Sequence, residues 1–261
     1  MMKKFYYLSG LPRSGNTLIS CLLNQHPEIS CNANSPLSEI LFTLEHLKAT
    51  DLALKNFPDY TAFNNVIKPV IHNYYTAWDS PYIIDRGCWG TPQNFNILKK
   101  ISPNSVKIVV LTRSILDVLA SFIKWSKENP NNFLDTYSQS VEDQCEYLMS
   151  DGGQISQQIA SIFNLRREEN KDYSLFVTYD ELVADPQTVL NNIYDFYELP
   201  PFLHHNFEKI SDFSSNGIEY DDSVFGNNLH KVKNNGISKS LYNIEDYLPP
   251  QVIEKYKHLI I

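Results

Sequence analysis

Phe5-Tyr6-Tyr7-Leu8-Ser9-Gly10-Leu11-Pro12-Arg13-Ser14-Gly15-Asn16-Thr17 is the stretch whose reading decides the fold. Its first four residues predict a buried strand, Gly10 to Gly15 a turn, and Asn16 or Thr17 the opening of a helix that runs on to Gln25. A strand that passes through a glycine-bearing turn into a helix collects anions, because the turn and first helical turn leave backbone N–H groups unpaired and aimed at one point. Gly10 to Thr17 fits the phosphate-loop pattern G-x-x-x-x-G-K-S/T at every fixed position except one, where Asn16 stands in place of the lysine. That lysine serves the β- and γ-phosphates of a triphosphate in phosphoryl transfer, so its loss counts against an ATPase, a GTPase or a kinase. A cation appears instead inside the turn, at Arg13, whose planar guanidinium can fork onto a phosphate or sulfate.

Working outward, Tyr82 to Ile84, Val106 to Leu111 and Leu175 to Thr178 read as further buried strands, and their continuous apolar runs suit strands covered on both faces. Helical patterns follow them at Gln93 to Ile101, Ile115 to Lys127 and Pro186 to Tyr197. The alternation predicts an α/β fold: a single domain over 1–261, three layers deep, with a central mainly parallel sheet. Pro36 to Trp78 adds helix between the first two predicted strands, with Leu37, Ile40, Leu41, Leu44 and Leu47 spaced as a core-facing stripe. Helices are also expected over Phe133 to Met149 and Ile155 to Arg166, an irregular Asn- and Ser-rich stretch over Ser211 to Ser240, and a last helix over Tyr242 to Lys257.

The chain has 261 residues, 43% of them hydrophobic, enough for one sizeable core. Its 22 basic and 30 acidic residues leave a net charge of −8, which argues against nucleic acid or an anionic membrane as partner, so any anion site is local. The apolar run at the N-terminus is too short for a signal-peptide core, and no later segment reaches spanning length without charge. Cys21, Cys31, Cys88 and Cys145 are scattered, with no paired spacing and no histidine cluster, as expected for reduced thiols in a cytoplasmic protein without a metal.

Pro12-Arg13-Ser14-Gly15-Asn16-Thr17-Leu18 resembles the 5′-phosphosulfate loop of the sulfotransferases that use 3′-phosphoadenylyl sulfate (PAPS), typically written PKSGTTW or PRSGTTL, and differs from the second form only at Asn16. The likeness runs on through Leu22, Leu23, His26-Pro27 and Cys31 and is closest to the tyrosylprotein branch. By this resemblance Arg13 is the electrostatic catalyst, and Ser14, Gly15, Asn16 and Thr17 hold the 5′-phosphosulfate through backbone N–H and side-chain groups. The family's 3′-phosphate site is an Arg followed eight residues later by a Ser. Here Arg113 ends a strand, Ser114 is placed to cap the next helix, and Ser121 lies eight residues on, about two helical turns away. Val177 to Pro186 resembles the family's YEDLVxDP segment and brings Tyr179 near the nucleotide. His230-Lys231-Val232-Lys233 resembles its C-terminal basic segment, which makes Lys231 a further nucleotide contact.

The resemblance implies a sulfotransferase that moves a sulfuryl group from PAPS to a hydroxyl or amine of a small-molecule or peptide acceptor and releases PAP. Sulfuryl transfer usually needs a base for the acceptor's proton. The tyrosylprotein branch places a glutamate where Asn34 falls, and the cytosolic branch a histidine where Ile83-Ile84-Asp85-Arg86-Gly87 has none. Asp85 is the first candidate and Glu39 the second, with Arg86 as a candidate to neutralise the sulfuryl group. His26 reads as a helix-end residue. An amine of low proton affinity, attacking with little base assistance, also fits the missing glutamate. A kinase-like enzyme and a nucleotide-binding module without catalysis stay open as alternatives on sequence grounds.

Overall fold

In the computed structural model, which describes residues 3–32, 34–103, 105–232, 236–239 and 242–261, the first strand β1 spans Lys4–Gly10. Its side chains alternate, Tyr7 entering the core on one face of the sheet and Tyr6 and Leu8 on the other. After β1 come α1 (Asn16–Leu23), β2 (Ile29–Cys31), α2 (Leu37–Thr50), α3 (Leu52–Asn56), α4 (Tyr60–Ile67) and α5 (Val70–Tyr74). The middle of the chain gives β3 (Tyr82–Arg86), α6 (Pro92–Ile101), β4 (Ile108–Thr112), α7 (Ile115–Glu128), α8 (Phe133–Tyr137), α9 (Val141–Met149) and α10 (Gln154–Leu165). Last come β5 (Ser174–Thr178), α11 (Tyr179–Ala184), α12 (Pro186–Tyr197), the small antiparallel pair β6 (Ser214–Ser215) and β7 (Ile218–Glu219), and α13 (Pro250–Tyr256).

The five strands of the main sheet run parallel in the order β2-β3-β1-β4-β5. One face packs on α6, α7 and α10 through Phe95, Phe122 and Ile162, the other on α1 and α12 through Leu22 and Tyr194. This is the three-layer α/β architecture that the sequence predicts. The chain fills one side of β1 before β4 starts the other, so the ends of β3, β1 and β4 open onto the crevice where ligands collect in such sheets. Among the described residues, no helix is long and apolar enough to cross a membrane.

Several boundaries depart from expectation for local reasons. β2 is only three residues long and carries no usable pattern, yet it pairs with β3 at the sheet edge. The predicted helix over 133–149 is two helices, because Ser138 is extended and Ser140 caps α9 by accepting from the Asp143 N–H. The final helix begins only at Pro250, since a residue before proline is disfavoured in the helical region. Ile40 and Leu47 of the α2 stripe are exposed, and only Leu37 and Leu41 are buried.

Gly10 fixes how the crevice is built. It has φ of 130°, and a Cβ there would lie 2.2 Å from the Leu111 carbonyl oxygen, which accepts from the Leu11 N–H at 2.9 Å. The turn after β1 is thus pressed onto the end of β4. Gly10→Ala is expected to lose at least about 2 kcal/mol of stability, from backbone strain plus the clash, read as the shift in urea unfolding midpoint; a loss under about 0.5 kcal/mol would show that β4 yields freely.

Candidate active site

Gly15 takes a left-handed φ of 92° and opens α1 with no side-chain cap, which leaves the first-turn N–H groups free to face a ligand. The Leu11 carbonyl beneath the turn is buried and must be paired. Ser14 Oγ donates to it at 2.5 Å and Asn16 Nδ2 at 2.6 Å, and Asn16 Nδ2 also reaches Ser14 Oγ at 3.2 Å. This corrects the expectation for these two side chains. They point inward and shape the turn, so Ser14 and Asn16 have only backbone to offer an anion. Thr17 borders the cavity beyond them.

That cavity holds about 450 Å³, is bordered by the Pro12 to Leu18 loop, and also takes in Arg113, Ser121 and Tyr179. Arg13, itself at a left-handed φ of 60°, turns its guanidinium across the cavity: Nε donates to Ser121 Oγ at 3.1 Å and Nη1 to the Leu229 carbonyl. Burial, and then the neighbouring charge of Arg113, lower the Arg13 pKa from its ordinary value. Arg113 donates from Nη1 to the Arg13 carbonyl and from Nη2 to the Tyr242 hydroxyl, each at 2.9 Å, and lies 4.2 Å from the centre of the Tyr179 ring. Its nearest carboxylate is Asp117, at 3.7 Å. Arg113 Nε is buried with no hydrogen-bond partner among the described residues. The structure therefore brings Arg13, Arg113, Ser121 and Tyr179 into one place.

On the other side of the turn the cavity meets Asn34, Arg86, Gly87 and Cys88, and α10 contributes Gln154, Gln157 and Gln158. Gln158 Oε1 accepts from Ser9 Oγ at 3.1 Å and from the Gly10 N–H at 3.3 Å, and Nε2 donates to Cys88 Sγ at 3.0 Å. These glutamines escaped the sequence reading, although their spacing of three and one along a helix with apolar neighbours is a signal for a polar stripe. Over the open side runs the stretch from Ile210 to Val232. Asn227 accepts from Trp125 Nε1 at 2.9 Å, Phe225 from the Phe133 N–H at 3.2 Å, and Lys231 borders the cavity. Lys233 lies outside the described residues.

Asp85 needs a correction. It is fully buried, Tyr75 donates its hydroxyl to one oxygen and Trp89 Nε1 the other at 2.7 Å, and it does not border the cavity. A carboxylate enclosed in this way is a core anchor for β3, not a base with access to substrate. Glu39 sits exposed in the first turn of α2, and its charge is felt at Cys88, on the rim of the cavity. Among the described residues, no cluster of three or more His, Cys, Asp or Glu side chains is placed to hold a metal ion.

Residues 7–203 match the model of the Sulfotransferase family. The fold is similar to the sulfotransferase domain from the curacin biosynthetic pathway (TM-score 0.56, 17% identity, covering 100% of this chain and 92% of that one). It is also similar to mouse sulfotransferase SULT7A1 complexed with PAP (TM-score 0.57, 13% identity, covering 99% and 84%). A third similar structure is the sulfotransferase domain of the Synechococcus PCC 7002 olefin synthase (TM-score 0.52, 19% identity, covering 100% and 90%). No curated protein matches by sequence.

Burial pushes the Asp85 pKa up to about 6, against the hydrogen bonds that favour its charged form. A carboxyl raised on folding stabilises most below its unfolded pKa and loses that contribution as pH rises through the folded value. Asp85→Asn, which sets an amide against one of the two donors, is expected to lose about 1–3 kcal/mol of stability. The gap from wild type should be wider at about pH 5 than at about pH 8 in urea unfolding; a gap independent of pH would show that Asp85 does not titrate in this range.

Proposed function

The chain belongs to the sulfotransferase family, and we propose that it transfers a sulfuryl group from PAPS to a hydroxyl or amine of a small-molecule or peptide acceptor, releasing PAP. The observation that carries the donor assignment is the pair of guanidiniums at the cavity, Arg13 and Arg113, held by a serine hydroxyl, two carbonyls and a tyrosine hydroxyl, with Asp117 the one carboxylate in ion-pair reach of Arg113 among the described residues. Buried like charges are costly unless an anion completes them. PAPS supplies two, the 5′-phosphosulfate and the 3′-phosphate. The orphaned Nε of Arg113 fits the second, which AMP and ATP lack. The mouse neighbour is a complex with PAP, and the cavity is of a size for such a nucleotide.

In this reading the N–H groups from Ser14 to Thr17 hold the 5′-phosphosulfate at the start of α1, and Arg113 with Ser121 holds the 3′-phosphate, with Tyr179 as the aromatic surface under the guanidinium. Arg13 exchanges its bond to Ser121 for the donor, releasing that hydroxyl to the 3′-phosphate, and neutralises charge growing on the bridging oxygen as the S–O bond breaks. Lys231 adds positive charge from the covering stretch. The acceptor oxygen or nitrogen attacks sulfur in line from the side of Arg86 and the α10 glutamines. With Asp85 enclosed, Glu39 is the carboxylate of the two with access to solvent. The four free cysteines, three of them buried, fit a reducing cytoplasmic setting.

PAP is expected to raise thermal stability more than AMP at equal concentration, the stabilisation by PAP itself being roughly 2.7 kcal/mol at 100 times its Kd. Arg113→Ala should weaken PAP by about 10- to 100-fold, with a smaller effect on AMP; equal stabilisation of wild type by PAP and AMP would overturn the 3′-phosphate assignment. Arg13→Ala should leave PAP bound but slow its release from PAPS by about 100-fold or more, and an unchanged rate would remove Arg13 from catalysis.

A further inference from the structure

We propose that His230, aligned by Asp222, takes the proton from the acceptor during sulfuryl transfer, an inference that rests on the PAPS reading given above. Among the described residues that border the cavity there is no aspartate or glutamate, and His230 is the one histidine. Glu39 and Asp85 both lie outside that border. A proton acceptor in contact with substrate is thus available from the covering stretch and not from either carboxylate.

The histidine is held like a base. Its Nδ1 lies 2.6 Å from Asp222 Oδ1, and its backbone N–H donates to Oδ2 of the same carboxylate at 2.8 Å. A carboxylate at Nδ1 keeps the proton on that nitrogen and leaves the lone pair on Nε2. The ring lies flat on Tyr220, with centroids 3.9 Å apart and planes within 5°, and meets Phe225 edge-on at 6.2 Å. Only 14% of the side chain is exposed, so its plane is fixed.

The groups that act on its charge are Asp222 on its own segment, Arg86 at the end of β3 and Arg13 in the loop after β1, with Tyr220 stacked on its face. Burial is the largest effect and lowers the pKa from its ordinary value; Asp222 opposes, and the two arginines add to the lowering. The balance of these effects favours the neutral ring. Arg13 belongs to the donor loop and Arg86 to the acceptor side, so His230 stands where the two halves of the reaction meet.

The step balances without a further reactant. The acceptor oxygen forms its bond to sulfur while its hydrogen passes to Nε2 of His230, and the S–O bond to the 5′-phosphate breaks with its electron pair leaving on PAP. The imidazolium that results is paired with Asp222 until solvent takes the proton. Asp222 is a positioning residue, since it acts only through the ring.

The test uses the full chain, His230→Gln and Asp222→Asn. PAP-induced thermal stabilisation checks folding and donor binding, and PAP formed from PAPS is followed from about pH 5 to about pH 9 with 2-naphthol and with water as acceptors. His230→Gln should keep the PAP stabilisation, lose about 100-fold or more in rate and lose the acid limb of the pH profile. Asp222→Asn should move that limb to lower pH, because removing the carboxylate favours the neutral ring. Long-range ¹H–¹⁵N spectra, with His230→Gln for assignment, should show the Nδ1–H tautomer at neutral pH independently of turnover. A His230→Gln rate within threefold of wild type, an unchanged acid limb, or a His230 ring protonated on Nε2 would overturn the proposal. Failure of PAP to exceed AMP on the wild type would instead sink the donor reading, and the ring's tautomer would still report on His230.

Discussion

The bond from Arg113 Nη1 to the carbonyl of Arg13 joins the end of β4 to the turn after β1, and the rest of the site hangs on it. It brings two cations together in a place with little water, a costly arrangement that the fold must enforce. Enforcement comes from below: parallel pairing of β1 with β4, the glycine that lets the turn touch the Leu111 carbonyl, and the inward side chains of Ser14 and Asn16. Asp117 offsets only part of this charge, and a bound anion, which the family's chemistry provides, completes it. Asn16, which stands where the phosphate-loop pattern has a lysine, adds no third cation and serves the turn by donating to the Leu11 carbonyl.

The layered fold was legible because β1, β3, β4 and β5 are apolar runs followed by helices, and the turn after β1 because glycine and arginine at that spacing serve few other ends. The Arg113 to Ser121 spacing could be read for a similar reason, as a helix carries a side chain eight positions on to a predictable height. Direction and burial were not legible. Nothing in Asp85-Arg86 says that the aspartate turns into the core to meet Tyr75 and Trp89 while the arginine next to it reaches the cavity; alternation along a strand permits either choice. Ser14 and Asn16 look like ligand groups until the buried carbonyl of Leu11 is seen to require them.

The covering stretch from Ile210 to Val232 was the least readable part, and the reason is physical. It has no period, because it is held by separate bonds to distant elements, such as Asn227 to Trp125 and Phe225 to Phe133. Asp222 and His230 meet across a short 3-10 turn, Asp222–Val224, and the turn at Phe225-Gly226 that follows it, a separation no regular period would signal. Gly226 is pressed so close to Asn132 that a Cβ would fall 2.6 Å from its Cα, so this turn is fastened to the body of the protein.

The indole N–H of Trp125 ends on a carbonyl of that segment, and of the chain's three tryptophans Trp89 is bonded instead to Asp85, deep under the sheet. An indole's emission depends on whether its N–H is bonded and on how much water surrounds it. The molecule therefore carries its own optical reporter of that junction: a substitution that breaks the bond from Trp125 to Asn227 alters the emission of Trp125, while Trp89 reports on the buried Asp85.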